Sequence, residues 1–76
     1  MKRKPFLTTS QAARVLYCSQ QTVIRAFDKG LLQGHRLLGS RFRRLISESV
    51  FDYAKQNGLP EHSEVTLRSW GILERE

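Results

Sequence analysis

Residues 8–30, with the sequence TTSQAARVLYCSQQTVIRAFDKG, decide the fold because they contain the start and stop signals of two helices. Thr8 and Gln11 form a Thr-x-x-Gln capping box, which predicts a first helix over about residues 8–17. Ser19 predicts the start of a second helix only a few residues later, and Gly30 predicts its end. The short connection leaves room for a tight turn only, so we expect a helix-turn-helix.

The second helix has one apolar face and one polar face. Val23, Ala26 and Phe27 recur at i, i+3 and i+4, which predicts the buried stripe. Leu31, directly after Gly30, is expected to fold back onto the last turn. The opposite face carries polar and basic side chains, which are Gln21, Thr22, Arg25 and Lys29.

A β-hairpin is predicted after these helices. Residues 32–38 and 41–46 are apolar and basic runs that flank Gly39 and Ser40, and a two-residue loop led by glycine is typical of a type II′ turn. Such a ribbon is marginally stable alone, so part of it must lean on the helices. The side chains expected to do so are Leu37, Phe42 and Leu45.

A third helix is predicted to begin at Ser47, with Glu48 in its first turn, and to end at Asn57-Gly58. Residues 61–76 have no clear apolar period and are expected to form a tail, weakly helical at best. The expected buried stripe of the third helix is Val50, Phe51, Tyr53 and Ala54.

These elements predict a mostly α-helical fold with a small β-hairpin, in the order helix, helix, two-stranded wing, helix. This order describes a winged helix-turn-helix. We divide the chain into a flexible basic N-terminal arm (1–6), the winged helix-turn-helix domain (7–59) and a C-terminal tail or linker (60–76).

Charge is distributed unevenly along the chain. The 76 residues contain 13 Lys and Arg against 7 Asp and Glu, which gives a net charge of +6 and an isoelectric point near 10.3. Residues 1–47 contain ten of the basic residues and a single acid, Asp28. Such a segment favours an anionic partner, and double-stranded DNA is the one we expect.

Several other classes of protein are not favoured. One cysteine, Cys18, cannot form an internal disulfide and fits a reducing, cytoplasmic compartment. The longest apolar run covers residues 15–18, far short of the ~18 residues of a membrane span. With only His35 and His62 beside the cysteine, we expect no metal and no cofactor. Ser40 near His35 is the nearest approach to a hydrolytic pair, so no enzyme is predicted.

The second helix carries the residue types that read bases. An α-helix fits the major groove, where Gln pairs with adenine and Arg with guanine. Arg25 could instead be a surface charge paired with Asp28 at i+3. The predicted contacts of this helix are Gln20, Gln21, Thr22, Arg25 and Lys29.

Basic side chains are dense in the hairpin, which suits phosphates or the narrow minor groove. Phe42 could be a wedge at the tip of the wing or could pack beneath the ribbon. The predicted wing contacts are His35, Arg36, Arg41, Arg43 and Arg44. The arm, as phosphate contacts or as a frayed end, contributes Lys2, Arg3 and Lys4.

Leu7 to Gln56 resembles the MerR-like DNA-binding domains of the excisionase and BldC type. The marks that carry the resemblance are Thr8 and Gln11-Ala12-Ala13, Ser19 with Thr22-Val23, Gly30, Gly39-Ser40, and Arg43-Arg44. Tyr17-Cys18 stands where the turn of the family usually has Gly-Val, which indicates a bulkier turn.

The resemblance implies a second helix in the major groove and a wing on the adjacent minor groove. Gln21 and Arg25 match groove-facing positions, and the positions that match wing contacts are Arg36, Arg43 and Arg44. It also implies pairing of monomers head to tail on repeated DNA sites, since 18 residues after Gly58 are too few for a long dimer seam.

We therefore expect a cytoplasmic, nucleoid-associated regulator of transcription that binds specific DNA sequences. One alternative is an excisionase that bends DNA during recombination. Another is a protein-interaction module that docks through Trp70, Ile72 and Leu73, and residues 61–76 could also begin a linker to a further domain. RNA is a weaker alternative because no aromatic-rich sheet is predicted.

Overall fold

The computed structural model describes residues 2–36 and 43–74, which form four helices and a three-stranded antiparallel sheet. The predicted predominance of helix is confirmed, and the predicted hairpin gains a third strand. In chain order the elements are β1 (Phe6–Leu7), α1 (Thr9–Val15), α2 (Gln20–Asp28), β2 (Gly34–Arg36), β3 (Arg43–Ile46), α3 (Ser47–Gln56) and α4 (Glu64–Ser69).

The first two helices begin where the caps predict. The Gln11 N–H donates to the Thr8 hydroxyl at 3.1 Å, and the Thr8 N–H donates to the Gln11 side chain at 3.0 Å. The Thr22 N–H donates to the Ser19 hydroxyl at 3.2 Å. Both caps satisfy amide groups that have no partner inside the helix, which explains why short helices start at these residues.

The turn between α1 and α2 is built on Tyr17, whose φ of +55° lies in the left-handed region. The Cys18 N–H then donates to the Ala13 carbonyl at 3.0 Å and closes the end of α1. A side chain other than glycine costs about 1–2 kcal/mol there. The Tyr17 ring offsets part of this cost, because it stacks on His62 at 4.6 Å and its hydroxyl donates to the Pro60 carbonyl at 3.2 Å.

The sheet has β3 at its centre, between β1 and β2. The β2–β3 register pairs Arg36 with Arg43, as a two-residue turn at Gly39-Ser40 would require. That turn itself, together with Leu37, Arg41 and Phe42, lies outside the described residues. The remaining pairs are Gly34 with Leu45, His35 with Arg44, Phe6 with Ile46, and Leu7 with Leu45.

The core lies between α1, α2, α3 and the inner face of the sheet. Leu45 is buried as predicted, and so is the stripe of α3, with Val50 fully buried and its neighbours packed against it. Leu31 folds back onto the last turn of α2 as predicted, because its N–H donates to the Ala26 carbonyl at 2.9 Å. Its side chain is exposed, however, and Leu32 enters the core. The largest buried side chains are Leu7, Val15, Val23, Leu32, Leu45, Val50 and Ile72.

Ser47 begins α3, as predicted, but it does not cap the helix. β3 runs directly into α3, so Ile46 occupies the cap position and the Ser47 side chain turns inward. The Ser47 N–H donates to the Pro5 carbonyl at 3.0 Å. Among the described residues the buried Ser47 hydroxyl has no hydrogen-bond partner.

Residues 60–74 do not form the predicted tail. Ser63 caps α4, a short helix that ends at Trp70 and Gly71, and Gly71 has a φ of +74°. The chain then becomes extended and inserts Ile72 into the core, where it is 0% exposed. Periodicity fails here because two consecutive residues after the helix, Ile72 and Leu73, carry the burial in place of a helical stripe.

The N-terminal arm is also held in place, contrary to the prediction of a flexible segment. The Lys4 N–H donates to the Ile72 carbonyl at 2.7 Å, and the Glu74 N–H donates to the Lys2 carbonyl at 2.7 Å. We call this pairing of residues 2–4 with residues 72–74 the terminal junction. None of the helices in the described part of the chain is long and apolar enough to cross a membrane.

Candidate nucleic-acid interface

The polar face of α2 is exposed as predicted. Val23 and Ala26 are buried on the opposite side of the same helix, which fixes the rotation of α2 against the core. The five predicted side chains are all exposed: Gln20, Gln21, Thr22, Arg25 and Lys29.

Two of these side chains are already engaged within the protein. The Thr9 hydroxyl donates to Gln20 Oε1 at 3.2 Å, and the Thr22 hydroxyl shares a hydrogen bond with Ser19 at 3.0 Å. Both contacts belong to the joint between α1 and α2. Gln21 and Arg25, one helical turn apart, are exposed on the same face of α2 and take no part in this joint.

The wing residues divide between the two faces of the sheet. Residues directly opposite one another in an antiparallel pair share a face. His35 and Arg44 therefore lie on the outer face, where both are exposed. Arg36 and Arg43 lie on the inner face, beyond the end of the core, and Arg36 is exposed whereas the Arg43 side chain is only 15% exposed.

Asp28 connects the last turn of α2 to the base of the wing. Its Oδ1 lies 3.5 Å from an Arg36 guanidinium nitrogen and 3.8 Å from an Arg43 guanidinium nitrogen. The Arg43 guanidinium also lies 6.0 Å from the centre of the Phe27 ring. We call these four residues the Asp28 junction. The predicted alternative pairing with Arg25 is replaced by these longer-range pairings.

The junction changes the role expected of Arg43. The sequence places Arg43 among the exposed wing contacts, but most of its side chain is covered and it lies near Asp28 and Phe27. Contact of Arg43 with DNA stays a prediction, and the exposed arginines of the described strands are Arg36 and Arg44. The sequence does carry one signal for the junction, because Asp28 is the single acid among residues 1–47.

The basic arm lies beside the sheet, where Arg3 and Lys4 line a groove together with Phe6 and His35. Lys2, Arg3 and Lys4 are exposed, but their backbone belongs to the terminal junction. The Arg3 guanidinium lies 4.2 Å from the centre of the Phe51 ring on α3. The structure therefore directs Arg3 toward α3 and does not bring it to the exposed face of α2.

Phe6 joins the outer face of the sheet, a contact that the sequence did not predict. Its ring centre lies 5.7 Å from that of His35, and the side chain is partly exposed. A strand of two residues has too little pattern to be recognised from sequence. The outer face thus combines an aromatic ring, an imidazole and the Arg44 guanidinium.

The C-terminal residues that could have docked on a protein partner are largely unavailable. Ile72 and Leu73 are buried within the chain, and Trp70 packs against the core with its ring edge-on to His62 at 4.7 Å. In this arrangement Ile72 and Leu73 leave little exposed surface for a partner.

Burial raises the pKa of the half-buried Cys18 thiol, which disfavours its reactive thiolate form. Within residues 2–36 and 43–74, no three His, Cys, Asp or Glu side chains come together as metal ligands.

Compared with protein-family models, with curated protein sequences and with solved structures, the chain shows no significant match.

Proposed function

We propose that the chain binds double-stranded DNA in a sequence-specific manner as a winged helix-turn-helix, and so regulates transcription. In this proposal α2 enters the major groove while β2 and β3 contact the flanking backbone and minor groove. The observation that carries the proposal is the Asp28 junction, because it sets the basic strands against the last turn of α2.

The dimensions and chemistry of α2 agree with this proposal. An α-helix with its side chains is about 10–12 Å across, which matches the ~12 Å width of the major groove, and the nine residues of α2 extend about 14 Å. Gln21 offers an amide that can pair with adenine, and Arg25 offers a guanidinium that can pair with guanine. Both side chains are exposed and do not pack in the core, so they are available to contact bases.

Exposed cations next to α2 and on the wing supply the non-specific part of the binding. Lys29 follows α2, and Arg36 and Arg44 lie on the adjacent strands. Phosphate contacts of this kind release counterions and make affinity fall with salt. With about five phosphates neutralised, we expect a slope of log affinity against log salt on the order of −5.

The test begins with selection of bound sites from random duplex DNA. Fluorescence anisotropy then compares the selected duplex with a scrambled one, for the wild type, Arg25→Ala and Lys55→Ala. Lys55 is the matched control, because it is an exposed cation on α3 beside a groove lined by Leu59 and His62, to which no α2 residue contributes.

Arg25→Ala should weaken binding to the selected duplex by about 1–3 kcal/mol and relax the preference for one base pair. Lys55→Ala should leave that preference unchanged. Equal behaviour of the two variants on both duplexes, or a wild type that does not distinguish the duplexes, would refute sequence-specific binding through α2.

A further inference from the structure

The Asp28 junction lies inside a surface that is otherwise basic. A carboxylate in such a place repels phosphate, so on its own it weakens DNA binding. The contacts of Asp28 indicate a different role, because they run from α2 to the two strands of the wing, at 3.5 Å and 3.8 Å.

We infer that Asp28 is a positioning residue, which holds the wing at a fixed distance and angle from α2. This inference rests on the proposed function, since it explains how the two parts of one DNA-binding surface are kept in register. A bound duplex would then have to present its backbone contacts at one spacing from the bases that α2 reads.

The composition of the junction supports this role. Arg43 is mostly covered and lies close to Phe27 of α2, so it forms the fixed side of the junction. Arg36 is about half exposed, so it can contact Asp28 and a phosphate together. A carboxylate that binds one edge of a guanidinium orients the remaining N–H groups toward solvent.

The junction does not serve mainly to stabilise the fold. The Asp28 and Arg36 side chains are each about half exposed, and ion pairs between such groups add little to stability. Loss of the Asp28 charge should therefore alter the geometry of binding while the protein remains folded.

The experiment compares Asp28→Asn with Asp52→Asn, which removes the same charge from an exposed position on α3. Three duplexes are used: the selected site, a scrambled site, and the selected site with one base pair inserted between the α2 contacts and the wing contacts, as located by footprinting. The insertion separates the two sets of contacts by about 3.4 Å and rotates one against the other.

For the wild type, the insertion should cost at least about tenfold in affinity, because a rigid surface cannot follow it. For Asp28→Asn that penalty should fall to roughly threefold or less, while binding to the scrambled duplex becomes tighter as a negative charge is lost. Asp52→Asn should retain the wild-type penalty.

A merely electrostatic role gives a different result. Asp28→Asn would then tighten binding to all three duplexes by the same factor and leave the insertion penalty intact, which would overturn the inference. The proposed function would survive that outcome, because it depends on the discrimination between selected and scrambled duplex by the wild type.

Thermal unfolding accompanies each measurement, and Asp28→Asn should shift the melting temperature by no more than about 4 °C. Asp28→Glu provides a second variant that retains the charge. We expect it to recover most of the insertion penalty; if it behaves as Asp28→Asn does while remaining folded, a positioning role for the carboxylate is refuted.

Discussion

The terminal junction joins the two ends of the chain through backbone hydrogen bonds of 2.7 Å and a fully buried Ile72, whereas the Asp28 junction joins α2 to the sheet through charged side chains. Two of those side chains, Asp28 and Arg36, are about half exposed. The terminal junction connects residues that are distant in sequence, and the Asp28 junction connects three different elements. The interactions in the two junctions differ greatly in strength.

Burial of an aliphatic side chain contributes about 1.5–3 kcal/mol, while an exposed ion pair contributes about 0–1 kcal/mol. Of the two junctions, the terminal junction therefore contributes more to stability, and it lies apart from the exposed face of α2. The proposed DNA surface is held by interactions that water and salt can weaken. A substitution there should change binding more than folding, and a substitution at the chain ends should do the reverse.

Ile72→Ala is the substitution with the largest expected effect. It removes a fully buried side chain and leaves a cavity, so the free energy of unfolding should fall by about 2–5 kcal/mol. The total free energy of unfolding of a domain of this size is about 4–11 kcal/mol. Urea denaturation followed by circular dichroism measures the change.

Val65→Ala is the control for this substitution, because Val65 lies on α4 and is 73% exposed. We expect its effect to stay within about 0.5 kcal/mol. If the two variants unfold at the same urea concentration, Ile72 does not anchor the chain end and the contrast between the junctions is lost.

The same contrast explains which parts of the fold could be predicted. Thr8, Ser19 and Gly58 act through hydrogen bonds or backbone conformations within a few residues, so the sequence near them indicates where helices start and stop. The exposed face of α2 followed from its period of 3.6 residues for the same reason.

Ile72 and Asp28 acquire their roles from residues far away or in other elements, which no local pattern encodes. Ile72 is buried in an extended segment, and its carbonyl accepts a hydrogen bond from the Lys4 N–H, 68 residues earlier in the chain. Asp28 pairs with Arg36 because the fold places β2 next to the last turn of α2. The covering of the Arg43 side chain was not predicted for the same reason, since strand alternation alone does not show which face meets α2.

Gly34→Ala should have the next largest effect and acts at the base of the wing. A Cβ at this position would fall on the carbonyl oxygen of Arg44 and lie 2.9 Å from the Leu45 Cα, both backbone atoms of the paired strand. β2 must therefore move away from β3. We expect a loss of about 1–3 kcal/mol in the free energy of unfolding, together with weaker binding to the selected duplex.

His35→Ala is the neighbouring control, because His35 is exposed on the outer face of the same strand. It should leave the amide chemical shifts of β3 close to their wild-type values, whereas Gly34→Ala should shift them. Wild-type shifts and stability in Gly34→Ala would mean that the close strand pairing does not hold the wing.

Arg36→Ala should have the smallest effect on folding and thus tests the weak side of the comparison. Its ion pair with Asp28 is about half exposed, so the free energy of unfolding should change by no more than about 0.5–1 kcal/mol.

DNA binding of Arg36→Ala should respond more strongly, because the variant loses a phosphate contact and leaves the Asp28 carboxylate with one partner fewer. We expect the slope of log affinity against log salt to become less steep by about 1. Titrations at several salt concentrations, paired with urea denaturation, measure both quantities on the same protein. A loss of stability as large as that of Ile72→Ala would show that the Asp28 junction supports the fold itself, and the division between a stabilising junction and a positioning junction would then be wrong.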